Sequence, residues 1–141
     1  MNSFFEELRN MRFWLLFLFV MTFSSFCYAQ VYLGKLNASQ YDSDSINNPY
    51  GSGSKYCSNS VNNPYGQYGS QYSNQSANNP YAQNAPKIYD DSGNYRGKLS
   101  SNQYDPDSTS NPYGRYGSKY SSESINNPYS KNQGNLRVYG Q

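Results

Sequence analysis

NNPYGQYGSQYSNQSANNPY, residues 62–81, begins and ends on the same four letters and holds between them little but tyrosine, glycine, serine and amides. Asn-Pro-Tyr occurs at 48–50, 63–65, 79–81, 111–113 and 127–129, at spacings of 15, 16, 32 and 16. Each copy has a tyrosine eight residues before its proline (Tyr41, Tyr56, Tyr72, Tyr104, Tyr120) and a serine four before it (Ser45, Ser60, Ser76, Ser108, Ser124). Ile46, Val61, Ala77, Thr109 or Ile125 sits three before it, and Gly66–Ser70 and Gly114–Ser118 add a Gly-x-Tyr-Gly-Ser spacer. The motif is therefore Tyr-x-x-x-Ser-apolar-x-Asn-Pro-Tyr, kept in register as structural repeats are.

A longer duplication overlies it. YLGKLNASQYDSDSINNPYG from Tyr32 matches YRGKLSSNQYDPDSTSNPYG from Tyr95 at a constant offset of 63. This divides the chain into 1–29, 30–86 with three Asn-Pro-Tyr copies, and 87–141 with two. Ahead of Tyr95, the run Asp91-Ser92-Gly93-Asn94 supplies turn residues after Ile88-Tyr89, which predicts a short β-hairpin. The first half has only Gln30-Val31 before Tyr32, and Leu136–Tyr139 is the candidate strand to partner it. Within each copy, Asp42, Ser73, Asp105 and Ser121 read as helix N-caps with acids in the first turn, and Cys57 stands where the others have Ser or Asp. The expectation is at most one helical turn running into an Asn-Pro-Tyr-Gly β-turn with proline at its second position.

Residues 1–29 differ in kind. A polar MNSFFEELRNMR leads into an apolar run from Phe13 to Phe26 and then Cys27-Tyr28-Ala29 before Gln30, the order of a helical secretory signal cleaved near Ala29-Gln30. The apolar run carries Thr22, Ser24 and Ser25 and falls short of the roughly 20 residues that span a bilayer, so contact with membrane is expected only through an uncleaved leader. Ser24-Ser25-Phe26 is a poor lead-in to a lipidated Cys27.

All seven Phe, all three Met and the one Trp lie in this leader, which leaves 16 Tyr as the aromatic content of residues 30–141. Val, Ile and Leu number only 10 in the same stretch. Since fixing a residue costs about 1–2 kcal/mol in backbone entropy, the expected fold class is a mostly irregular, turn-rich repeat chain with a few short β-strands and no large core.

The residue set narrows the function. Nine Lys and Arg against seven Asp and Glu in residues 30–141 give +2 with the cations scattered singly, so no nucleic-acid groove is expected. There is no histidine, no base for a serine nucleophile and no cofactor motif, and Cys57 occupies a variable repeat position; catalysis is not expected and no catalytic or cofactor-binding residue is assigned. Gly51-Ser52-Gly53-Ser54-Lys55 lacks the phosphate-loop spacing. Asp42, Asp44, Asp105 and Asp107 place carboxylates at alternate positions, a weak calcium pattern that lacks the distal glutamate, and capping accounts for them without metal. Tyr50, Tyr65, Tyr81, Tyr113 and Tyr129 are the candidate contacts, since tyrosine suits wet, adaptable surfaces, with self-association or envelope polysaccharide as the partner. The competing reading has each tyrosine packing on its own proline and aliphatic.

Residues 95–118, with Tyr-x-Gly-Lys-Leu-Ser followed by Gln-Tyr-Asp-Pro-Asp-Ser-x-Ser-Asn-Pro-Tyr-Gly-Arg-Tyr-Gly-Ser, resemble a repeat shared by short, mostly bacterial exported proteins. The resemblance covers most of residues 32–130 and brings no activity, cofactor or site residue. It departs where Asp-Ser-Asp replaces Asp-Pro-Asp and where Gly51–Ser54 loses a tyrosine. From the leader and the composition, and not from the resemblance, the expected role is that of a secreted or periplasmic, non-enzymatic structural or interaction protein at the cell envelope or outside it. The alternatives are a wall-polysaccharide module and a calcium-ordered repeat.

Overall fold

Pairing of Ile88 with Val138, the two most deeply buried aliphatic side chains, sits at the centre of a four-stranded antiparallel sheet. The computed structural model describes residues 3–11, 29–37, 39–130 and 134–141. Its strands are β1 (Val31–Leu36), β2 (Lys87–Tyr89), β3 (Tyr95–Lys98) and β4 (Leu136–Gly140), in the order β1-β4-β2-β3. The expected hairpin is β2 with β3, and the C-terminal segment does partner β1, but it also inserts against β2. One sheet thus joins residues 30–86 to residues 87–141.

Asp90, not the turn residues after it, organises the hairpin. Its carboxylate accepts from the amides of Ser92 and Asn94 at 3.0 and 2.8 Å and from the Arg96 guanidinium at 2.8 and 3.0 Å. Gly93, at φ +79°, takes the left-handed conformation the turn needs.

Between the strands the backbone steps through hydrogen-bonded turns, each starting three residues after the last. Amide-to-carbonyl bonds run Ser45 to Asp42, Asn48 to Ser45 and Gly51 to Asn48 at 3.0–3.2 Å, and the pattern returns at Ser108, Asn111 and Gly114. Asn48, Pro49, Tyr50 and Gly51 form a turn with proline second. The expected helical turn is replaced: among the described residues only 3–11 are helical, because each turn shares its corner residue with the next instead of bonding at every residue. The apolar run from Phe13 to Phe26 lies outside the described residues, and among those described no helix is long and apolar enough to cross a membrane.

Amide side chains lock these turns. Each Asn before a proline donates Nδ2 to the carbonyl six residues back (Asp42, Cys57, Ser73, Asp105, Ser121) at 2.9–3.1 Å. The preceding asparagine reaches into the previous copy: Asn62 Nδ2 to the carbonyls of Ile46 and Gly53, Asn78 to Val61 and Gly69, Asn126 to Thr109 and Gly117, at 2.7–3.0 Å. The serines beneath are buried, with Oγ of Ser45, Ser60, Ser76, Ser108 and Ser124 accepting the amide two residues on.

A small core lies between sheet and turns: Leu33, Ile46, Val61, Tyr68, Ala77, Ile88, Leu136 and Val138. Strand glycines make room for it. A Cβ on Gly97, at φ +99°, would fall 2.7 Å from the Tyr116 side chain, and one on Gly140 would collide with the Tyr68 ring.

Asn78→Ala and Asn126→Ala each leave two carbonyls unpaired and should destabilise by about 1–3 kcal/mol, read as a lower midpoint in urea unfolding. Cys57→Ser restores the hydroxyl that at Ser73 and Ser121 accepts the amide two residues on, and should stabilise by about 0.5–1 kcal/mol in the same assay. Arg96 and the turn amides hold the Asp90 carboxyl down at about 2, below its ordinary value. A carboxylate depressed on folding stabilises above its unfolded pKa, so this contribution is complete above about pH 4–5 and disappears as pH falls through about 2. Thermal midpoints measured from pH 6 to 2 should fall more steeply for the wild type than for Asp90→Asn.

Candidate functional site

Ten tyrosines, two from each Asn-Pro-Tyr copy, stand 88–97% exposed. They are the expected Tyr50, Tyr65, Tyr81, Tyr113 and Tyr129 together with Tyr41, Tyr56, Tyr72, Tyr104 and Tyr120. The second set is legible in the sequence as a repeat position, eight before each proline, without any hint that it faces outward. Packing of each ring on its own proline does not occur, because exposure near 95% leaves both ring faces in solvent.

The backbone beneath every one of these rings is held in the same way. Tyrosine is the third residue of its turn, and its amide is taken by the side chain two residues earlier. Asn48, Asn63, Asn79, Asn111 and Asn127 Oδ1 accept from Tyr50, Tyr65, Tyr81, Tyr113 and Tyr129 at 2.9–3.0 Å. Ser39, Ser54, Ser70 and Ser118 Oγ and Asn102 Oδ1 do so for Tyr41, Tyr56, Tyr72, Tyr120 and Tyr104 at 2.9–3.3 Å. These local turns fix where each Cα–Cβ bond starts while leaving the ring free.

The other six tyrosines of residues 30–141 are buried or held in ring contacts, Tyr32 keeping 42% of its surface exposed. Tyr32, Tyr139, Tyr89, Tyr95 and Tyr116 form a continuous run of rings with centroids 5.5–5.9 Å apart, in tilted and edge-on contacts. Tyr68 is buried, with its hydroxyl 3.5 Å from the Gln141 carbonyl. Burial raises the phenol pKa of Tyr95, Tyr32 and Tyr68 above its ordinary value, and nearby Asp107 adds to the rise at Tyr95.

Between copies the exposed rings wall shallow grooves. One of about 540 Å³ lies between Tyr113 and Tyr120, with Pro112, Lys119 and Asn126 along it. A second of about 370 Å³ uses Pro64, Gln71, Tyr72 and Asn78, which are the equivalents of Pro112, Lys119, Tyr120 and Asn126 in the first half of the chain. Neither groove is lined by a carboxylate.

The aspartates are engaged elsewhere. Asp42 accepts from Lys35 at 3.4 Å, from Asn37 and from the Asp44 amide, and that amide bond leads the effects that lower its pKa. Lys98 lies 2.9 Å from Asp105, and although burial pushes the Asp105 carboxyl up, Lys98 and the Asp107 amide more than reverse it. Asp44 lies 3.7 Å from Lys35, and Asp107 gives its carbonyl to the Lys98 amide at 2.8 Å. Among the described residues no three His, Cys, Asp or Glu side chains converge to hold an ion. Cys57 is an exposed free thiol.

Compared with family models, with curated proteins and with solved structures, the chain matches none.

Proposed function

We propose that this chain is an exported, turn-rich repeat protein with a non-enzymatic, structural or interaction role at the cell envelope or outside the cell, and that its ten outward tyrosines are the contact surface. The observation that carries the reading is the combination of fixed backbone and free ring at all ten positions. A chain with this little aliphatic matter gains nothing in stability from rings left in water. Ten weak aromatic contacts on one backbone add up through avidity, because each contact made raises the effective concentration of the next. The leader supports export, with Gln30 as the first residue of the mature chain.

Changing all ten tyrosines to serine should leave the circular dichroism spectrum and melting transition close to wild type. It should also remove concentration-dependent light scattering and retention on purified envelope material. Association at wild-type strength in that variant would end the reading. N-terminal sequencing of the protein recovered from the cell exterior should begin at Gln30.

A polysaccharide-binding role is the second reading, and the groove between Tyr113 and Tyr120 favours it. Two rings with free faces can stack on sugar rings, and the uncharged or basic lining suits a neutral or acidic glycan. Affinity electrophoresis through gels containing soluble polysaccharides should show retention that falls roughly tenfold, about 1.4 kcal/mol, on Tyr113→Ser with Tyr120→Ser. Unchanged retention would discard this role and leave the contact-surface reading in place.

A further inference from the structure

We propose that the ten exposed tyrosines are sites of oxidative coupling, through which hydrogen peroxide and an external peroxidase join copies of this chain by aryl–aryl bonds. The inference rests on the tyrosine surface being where the chain meets its partners, and it names the second partner as another copy.

Four observations meet here. The first is access: the ten rings are 88–97% exposed, so hydroxyl and ortho carbons are open to a bulky oxidising enzyme, whereas Tyr68 and Tyr116 are buried. The second is the absence of competing sinks. Met1, Met11, Met21 and Trp14 all lie before Ala29, so residues 30–141 contain no Met, Trp or His, and Cys57 is their one other readily oxidised side chain. The third is separation: among the described residues no ring pair includes any of the ten, while five of the other six are in ring contact. Because the backbones beneath the ten are held by Asn and Ser, rings of one chain are kept out of ring contact, Tyr113 and Tyr120 standing on either side of a groove, and an activated ring finds its partner on a second chain. The fourth is number, since ten reactive groups per chain exceed the two that would give linear polymers and so generate a branched network.

The chemistry balances. Each of two phenols gives up one electron and one proton; peroxide takes both electrons and both protons, its O–O bond breaks, and two waters form. The two phenoxyl radicals join at their ortho carbons, and each coupled ring moves its ortho hydrogen to oxygen and becomes aromatic again. Two tyrosines and one hydrogen peroxide give one dityrosine and two waters.

The test treats the purified full chain with a haem peroxidase and hydrogen peroxide, reading dityrosine fluorescence, covalent multimers on denaturing gels and cross-linked peptides. Cross-links should map between chains to the ten positions and not to Tyr68 or Tyr116. A variant with all ten changed to Phe keeps the flat ring and the fold and should yield less than a tenth of the wild-type dityrosine, while Cys57→Ser should still polymerise. Dityrosine should also be present in hydrolysates of the protein recovered from its native cell exterior. Wild-type yield from the ten-Phe variant, cross-links confined within single chains, or native protein lacking dityrosine would overturn the inference. The Phe variant should still associate non-covalently, so loss of coupling with association retained separates this inference from the contact-surface reading beneath it.

Discussion

The asparagine side-chain amide holds together a chain that has too few aliphatics to do the same work. With 10 Val, Ile and Leu in residues 30–141, hydrophobic burial cannot offset the entropy of ordering so much turn backbone. What the turns do have is a surplus of backbone donors and acceptors that no helix or sheet ladder would satisfy. Asn48 shows how this is met: its Nδ2 closes on the Asp42 carbonyl behind it, and its Oδ1 takes the Tyr50 amide ahead of it. One side chain thereby ties the whole stretch from Asp42 to Tyr50. Aspartate could not donate, and glutamine would place the same amide one methylene too far out. Among the described residues no buried side-chain nitrogen or oxygen is left without a partner.

This arrangement separates the two things a tyrosine supplies. At Tyr50 and its nine counterparts the main chain is held by a neighbouring Asn or Ser, so the ring is not needed to anchor the turn and can point out. At Tyr68 and Tyr116 the ring itself fills space: Tyr116 lies over Gly97 and edge-on to Tyr95, and Tyr68 lies against Gly140 beside the small aliphatic cluster. The same residue type is therefore core or surface according to its place in the turn sequence. Composition alone cannot make that distinction.

Much of the sheet can be read from the letters, because a hairpin and its partner strand depend on local turn residues and on alternating apolar positions. Asp91–Asn94 marks the turn and Leu136–Tyr139 marks the partner of β1. The anchoring role of Asp90 cannot be read, since it depends on Arg96 folding back across the hairpin. The N-cap reading of Asp42 and Asp105 points to the right bond, side-chain oxygen to the amide two residues on, but assigns it to helix; an Asx turn uses the same bond without continuing. The burial of Tyr68 and Tyr116 leaves no such mark: their flanking glycines approach nearby turn backbone closely, but Gly51 and Gly53 do the same around Ser52.

The placement of the acids has a structural cause in how each half of the chain begins. The second, third and fifth copies follow directly on another and are tied to it by Asn62, Asn78 and Asn126. The first and fourth follow a strand: Asn47 of the first donates Nδ2 to the Asn37 carbonyl at 2.5 Å, and Ser110 stands where the fourth would carry that asparagine. Both are held by parallel bridges, Lys35 with Ser45 and Lys98 with Ser108, in which the lysine amide and carbonyl bond to the residues on either side of the serine. The same two lysines reach Asp42 and Asp105 with their ammonium groups. Aspartate therefore appears at the cap of the first and fourth copies, and Cys57, Ser73 and Ser121 suffice in the others, because only the first and fourth have a lysine strand to meet. The alternate carboxylates Asp42 with Asp44 and Asp105 with Asp107 therefore stand at the strand-to-turn junction, once in each half of the chain.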